Sequence, residues 1–177
     1  MSTIHTRASL ERLVRDVPDF PRPGIVFKDI TPLLRDPDAL RRACEGLAAG
    51  YLRERVDLVV GIESRGFIFG APVALALGAG FTLARKQGKL PGRTHSTSYA
   101  LEYGEAEIEM QSDAVAPGQR VLLVDDVIAT GGTAAATVRL VRQLGGVVVG
   151  SAFLIELAFL DGRKVLEGLR VEALLRY

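Results

Sequence analysis

An α/β fold, built on a mostly parallel, twisted sheet flanked by helices, is predicted by three features of this 177-residue sequence. Strand-like and helix-like segments alternate along the chain, which calls for right-handed crossovers between parallel strands. The strand-like runs are almost unbroken in hydrophobicity, as strands covered on both faces are. No internal repeat, low-complexity tract or Pro/Gly/Ser-rich linker divides the chain. Residues 1–177 therefore read as a single domain, long enough to bury a core without metal or disulfide staples.

A helical pattern covers Ser9 to Val17. In Asp19-Phe-Pro-Arg-Pro-Gly-Ile25, with Pro18 before it, three prolines and a glycine exclude continuous helix or a central strand and leave a structured loop. Asp36 caps and Pro37 opens a helix in which Leu40, Ala43, Cys44, Leu47, Ala48, Tyr51 and Leu52 recur at helical spacing. Val56 to Ile62 is a buried-type strand. It leads through Glu63-Ser-Arg-Gly66 into the apolar helix Phe67 to Leu77, which Pro72 either kinks or starts. Phe81 to Ala84 is the next strand. Tyr99, Leu101 and Tyr103 alternate, as do Ala106, Ile108 and Met110, around Gly104-Glu105, which describes an antiparallel hairpin over Ser98 to Met110, a flap and not sheet core. Arg120 to Asp126 is a third strand, and Ala129-Thr-Gly-Gly-Thr133 joins it to a helix with Val138, Val141 and Leu144 on one face. Gly145-Gly146 stops that helix, and Val147 to Leu157 is a further strand.

Composition narrows the class. Hydrophobic residues make up 48% and charged residues 24%, which excludes disorder, and a net charge of +1 argues against a nucleic-acid-coating role. Cys44 alone cannot form an internal disulfide, and with only His5 and His95 beside it no zinc cage is expected. Met1 to Arg15 lacks the apolar core of a secretory signal. The longest apolar stretches, Ala71 to Ala84 and Gly145 to Leu160, are interrupted and shorter than the ~20 residues of a membrane span. A soluble, cytoplasmic protein is expected, with no membrane or nucleic-acid partner.

The stretch richest in chemistry is Val121-Leu-Leu-Val-Asp-Asp-Val-Ile-Ala-Thr-Gly-Gly-Thr133. In open α/β sheets ligands bind beyond the carboxyl ends of the strands, and here such an end carries two carboxylates, a glycine loop and a helix start. Backbone N–H groups of Ala129, Thr130, Gly131, Gly132 and Thr133, with the two threonine hydroxyls, can surround a phosphate at the positive end of the helix dipole. Asp125 and Asp126 are acceptors only when ionised, which suits the 2′ and 3′ hydroxyls of a ribose whose 5′-phosphate lies in the loop. A receiver domain also has a strand-end acidic pair, but the pair opens that domain, whereas here only some fifty residues follow it. Gly88-Lys89-Leu90 departs from the Walker A sequence, and Gly78-Ala-Gly80 lacks the third dinucleotide-binding glycine.

In the acidic pair and the Ala-Thr-Gly-Gly-Thr loop the sequence resembles the type I phosphoribosyltransferases, which bind 5-phosphoribosyl 1-diphosphate (PRPP). Phe20 to Thr31, Glu63-Ser-Arg-Gly-Phe67, Arg85-Lys-Gln-Gly-Lys-Leu-Pro91 and Tyr99-Ala-Leu-Glu-Tyr103 narrow the resemblance to the adenine-using members over nearly the whole chain. Lys28, where many members carry Arg, and Gln87 inside the basic loop are small departures. The resemblance implies a small N-terminal hood (1–35) that recognises the base and a β-hairpin flap (87–111). It implies purine salvage, in which adenine and PRPP give AMP and diphosphate with Mg²⁺ held mainly by the substrate, and a homodimer.

The same resemblance assigns residues. Arg85, Lys86 and Lys89, with Arg65 and the Glu63–Ser64 peptide in cis geometry, would meet the diphosphate, partly across a dimer interface. Glu102 would close over the base and handle the proton on purine N9, making Glu102 and Arg65 the catalytic pair. Val26, Phe27 and Lys28 would bind adenine, Phe27 stacking on one face with Val127 or Ile128 on the other. Two competing readings keep the fold: a 6-oxopurine (xanthine or hypoxanthine) transferase and a sugar-phosphate-sensing regulator. The Val26 to Lys28 segment opposes the first, because the family uses its backbone to meet the 6-amino group and N1. The second needs a DNA-binding unit, for which the ~25 residues up to the end of the Pro/Gly loop leave no room.

Overall fold

The computed structural model describes the backbone of residues 3–100 and 105–177, with side chains for 7–99 and 106–177. In chain order the elements are α1 (Thr3–Glu11), β1 (Arg15–Val17), β2 (Phe27–Asp29), α2 (Thr31–Arg35), α3 (Pro37–Ala49), β3 (Leu58–Ile62), α4 (Gly66–Leu77) and β4 (Gly80–Lys86). They continue with β5 (Thr94–Ala100), β6 (Glu105–Gln111), β7 (Arg120–Ile128), α5 (Gly132–Gln143), β8 (Val147–Glu156), two 3₁₀ turns (Ala158–Leu160 and Gly162–Leu166) and β9 (Val171–Arg176).

Seven strands form one sheet in the order β5-β6-β4-β3-β7-β8-β9. The five from β4 to β9 run parallel, and β6 and β5 extend the β4 edge antiparallel. The side chains of the central strands divide by alternation between two cores. Val59, Leu122 and Val124 face the layer containing α3 and α4, whereas Val60, Ile62, Val121 and Leu123 face α5. The cap foreseen at Asp36 is present: its carboxylate accepts from Ala39 N at 2.8 Å, satisfying one of the open amides of the first turn of α3. Helix α5 stops at Gly145-Gly146, whose N–H groups return to Arg142 O and Val141 O.

Three expectations are corrected, and one strand is added. The helix placed over Ser9 to Val17 instead ends at Glu11, and 15–17 pair with β2, because the Lys28–Asp16 (2.6 Å) and Arg15–Asp29 ion pairs sit on that ladder. Strand β4 runs on past Ala84 to Lys86, since Arg85 and Lys86 find backbone partners in Glu109 and Ile108 of β6. The hairpin begins at Thr94, four residues before Ser98, and it is an edge of the main sheet, with Ile108 and Met110 buried. The terminal strand β9 was not foreseen. It pairs with β8 from Ser151↔Val171 to Glu156↔Arg176. As for Pro72, α4 runs through it, starting at Gly66. Helix α4 is apolar all round, yet Leu75 is 83% exposed, so one of its faces has no partner among the described residues.

Tyr51, fully buried, reaches from the end of α3 to donate to Ser151 O of β8 at 3.1 Å. Tyr51→Phe is expected to lower stability by about 1 kcal/mol, a melting shift of roughly 2–4 °C, with turnover unchanged. Calorimetric melting beside a steady-state assay checks both parts.

Candidate active site

Three strand ends and residues 25–28 converge on one cavity of about 640 Å³. Strand β3 ends in the Glu63–Ser64 peptide, which is cis as the resemblance implied, and Arg65 stands immediately before α4. A second cis bond, Phe20–Pro21, lies in the Pro/Gly loop before β2 and was not foreseen. Helix α4 can start this close to β7 only because residue 66 is glycine. A Cβ there would lie 2.7 Å from Val124 O and 2.9 Å from Asp125 Oδ1.

Asp125 and Asp126 stand near the end of β7, Asp126 being 4% exposed. Asp125 Oδ1 accepts from Asp126 N at 2.8 Å, and Arg65 Nε lies 2.6 Å from Asp126 Oδ2 without the alignment of a hydrogen bond. Loss of water, and then the neighbouring Asp126 charge, push the Asp125 carboxyl well above its ordinary value. Burial also raises Asp126, against the opposing pull of Arg65. The Arg65 guanidinium is also 5.1 Å from the Phe27 ring centroid, and Phe20 packs edge-on against Phe27 at 5.2 Å.

Beyond the acidic pair, residues 129–133 wrap a smaller hollow of about 90 Å³. Gly131 adopts φ +78°, and no side chain caps the start of α5, so the open first-turn amides face this loop.

The basic loop is arranged differently from a simple cluster. Glu63, 8% exposed at its side chain, binds Lys89 Nζ at 2.6 Å, Lys86 N at 2.9 Å and Arg85 Nε at 3.2 Å. Burial alone would raise the Glu63 carboxyl, but those three partners outweigh it and hold it down at about 2. The stability this contributes is present above the ordinary carboxylate range and is lost as pH falls toward 2. Glu109, buried on β6, accepts from Lys89 N and Leu90 N, both at 3.0 Å, and fixes the same loop. Its place on the alternating Glu105–Gln111 strand was the available signal, and the sequence reading passed over it.

Of the residues expected at the site, Val26, Phe27, Lys28, Glu63, Ser64, Arg65, Lys86, Asp125, Asp126, Val127, Ala129 and Thr133 line the larger cavity. Thr130, Gly131 and Gly132 line the smaller hollow. Arg85 and Lys89 are turned onto Glu63. Ile128 is 2% exposed, in the core beside the smaller hollow, so of the two candidates for the second face of the base only Val127 reaches the cavity. The Lys28 ammonium is tied to Asp16 and lies 4.0 Å from the Tyr177 ring centroid. Glu102 lies outside the described residues. Ile25, Tyr99, Ile108 and Leu157 also line the cavity and were not foreseen. Among the described residues no cluster of three or more His, Cys, Asp or Glu could hold a metal ion, and no helix is long and apolar enough to cross a membrane.

A parallel sheet with a strand-end acidic pair between a glycine loop and a basic strand end has the architecture of a type I phosphoribosyltransferase. The family described as phosphoribosyl transferase domain matches residues 34–166. An adenine phosphoribosyltransferase of Thermobifida fusca is 59% identical over 165 residues, spanning 93% of this chain and 94% of the relative. The crystal structure of the Rhodothermus marinus adenine phosphoribosyltransferase superposes with a TM-score of 0.94 at 54% identity, covering 98% of this chain and 99% of that one. The Saccharomyces cerevisiae enzyme, solved with adenine and an imino-altritol bisphosphate, gives 0.92 at 40% identity, covering 97% and 99%. The chain belongs to the phosphoribosyltransferase family, in its adenine phosphoribosyltransferase branch.

The raised carboxyl of Asp125 has a consequence for stability. An acid held above its unfolded value binds more protons when folded, so stability falls as pH rises through that interval and the deficit persists at neutral pH. Asp125→Asn keeps the acceptor for Asp126 N and removes the charge. The variant is expected to melt about 2–4 °C above the wild type at neutral pH, with the gap closing in acid. Melting curves across the acid range check the sign.

Proposed function

We propose that this purine-salvage pentosyltransferase moves the 5-phosphoribosyl group from PRPP to adenine, giving AMP and diphosphate. The observation that carries this reading is one cavity bordered by the acidic pair, Arg65 and Phe27, with the glycine loop at its end. In this reading residues 1–177 act as one domain, with 1–35 a hood over the base and 87–111 a flap.

The amides of 129–133 hold the 5′-phosphate at the start of α5, and Asp125 and Asp126 accept from the ribose hydroxyls. Paired carboxylates that are already desolvated, with Asp126 Oδ2 lacking a hydrogen bond, fit a sugar substrate that carries a divalent cation. Mg²⁺, held by the diphosphate and ribose hydroxyls with Asp125 and Asp126 beside them, would supply positive charge to the leaving group. Breaking the C1′–O bond leaves positive charge on the ribose ring and negative charge on the diphosphate. Arg65 and Lys86 border the cavity where that negative charge grows. Arg85 and Lys89 stand behind them, held in place by Glu63.

Adenine lies between Phe27 and Val127. Backbone groups of Val26 to Lys28 accept from its 6-amino group and donate to N1. Because Asp16 and Tyr177 occupy the Lys28 ammonium, the polar groups left for the base are those of the backbone. Glu102 takes the proton of purine N9, and flap closure excludes water from the ribosyl cation. The protein works in the cytoplasm as a homodimer. The unpartnered face of α4, with Leu75 at 83% and Ile68 at 39% exposure, supports the pairing.

Adenine is expected to be converted at least about a thousandfold better than hypoxanthine, since a carbonyl leaves the acceptor aimed at the 6-amino group unpaired. Product assays with each base measure the ratio, and comparable rates would overturn the adenine reading. Glu102→Leu is expected to lower single-turnover AMP formation about a hundredfold or more with the melting temperature unchanged. A wild-type single-turnover rate in that variant would remove Glu102 from the chemistry.

A further inference from the structure

The underside of the phosphate loop meets a part of the chain that the reaction itself does not explain. Residues 162–166 form a 3₁₀ turn behind the loop, and the two meet backbone to backbone. A Cβ at Gly162 would overlap Ala129 O and lie 3.0 Å from both Gly131 N and Ile128 Cγ1. The contact is reciprocal, since a Cβ at Gly131 would overlap Gly162 O and stand 2.5 Å from Val165 Cγ2. With glycine on both sides the two backbones meet with no room for a Cβ between them, so a displacement of the turn passes to the loop amides.

A second set of bonds fixes the turn itself. Arg163 Nε donates to Glu156 Oε1 at 2.7 Å, and Arg163 Nη1 donates to Val171 O at the start of β9. Glu156, 5% exposed, ends β8 directly opposite Ile128 of β7, the residue that leads into the loop. Arg176 Nε lies 3.8 Å from its other oxygen. Leu166, 3% exposed, anchors the far end of the turn in the core that holds Ile128 and Ala134. The turn is thus fastened to β8 and β9 and pressed against the loop.

We propose that the turn Gly162–Leu166 is the positioning element of the 5′-phosphate site, with Gly162 setting the height of the loop and Arg163, through Glu156, fixing the turn. Amides that bind an anion must be held to within about half an ångström, so a floor that moves by a methyl's width weakens phosphate binding in particular. The inference rests on the reading that 129–133 take the 5′-phosphate.

The test uses the full chain, with calorimetric titration of ribose 5-phosphate and the KM values for PRPP and adenine, in Gly162→Ala, Arg163→Met and Arg163→Lys. Gly162→Ala is expected to weaken ribose 5-phosphate binding and raise the KM for PRPP about tenfold, with kcat and the KM for adenine changed less than about threefold. Arg163→Met shifts the same two quantities about fivefold, and Arg163→Lys, which still reaches Glu156, recovers most of the loss. If Gly162→Ala fails to fold, the Arg163 pair decides alone. Folded variants that melt lower but keep ribose 5-phosphate affinity and the PRPP KM within about twofold of wild type would overturn the inference. Wild-type protein that fails to bind ribose 5-phosphate would instead overturn the phosphate-loop reading, and this one with it.

Discussion

Two adjacent carboxylates near the end of a buried strand repel each other, and the rest of the active site is arranged around that repulsion. Asp125 and Asp126 are desolvated, both are raised above the ordinary carboxylate range, and the cation against them is Arg65. A pair of this kind is unfavourable for folding and useful for a ligand that brings hydroxyl donors and positive charge. Glycine at 66 lets α4 begin beside the pair, and Arg65 thereby arrives from β3 within reach of β7. The neighbouring strands β3 and β7 so contribute opposite charges to a single cavity.

A second charge arrangement lies one strand further out. Glu63, half-buried, and Glu109, buried, fix the loop after β4 through its backbone N–H groups, and Glu63 also holds Arg85 and Lys89. A run of cations left to itself would spread into solvent. Tied to Glu63, it stays compact beside the cavity, and Lys86 remains as its cavity-lining member. In the proposed reading a diphosphate would meet a field set before it arrives, which fits a reaction driven by charge stabilisation and positioning.

The parallel core was legible because buried strands leave unbroken β-branched runs, and the glycine loop between β7 and α5 because an acidic pair, glycines and a helix start have few other joint uses. Elements whose existence depends on distant partners were harder to read. Residues 15–17 carry a helical pattern but become a strand once Lys28 and Asp29 supply partners. Arg85 and Lys86 read as a loop until Glu109 and Ile108 pair with them. Val171 to Arg176 is short and carries two charges, so its role as an edge strand rests on the exposed side of β8. At the site, chain spacing could indicate that Arg85 and Lys89 cluster, but the carboxylate that turns them lies more than twenty residues earlier. The choice between Val127 and Ile128 needed the length of β7, since each added strand residue reverses the face.

If the desolvated acidic pair is what receives the ribose, binding of the sugar substrate is linked to the charge state of that pair. The pH dependence of the PRPP KM, compared between the wild type and Asp125→Asn, measures this linkage directly and separates it from titration of the substrate's own phosphates. The wild-type KM is expected to rise more steeply toward acid than that of the variant, because protonation removes an acceptor the variant has already lost. Parallel profiles for the two proteins would contradict the assignment of the acidic pair to the ribose.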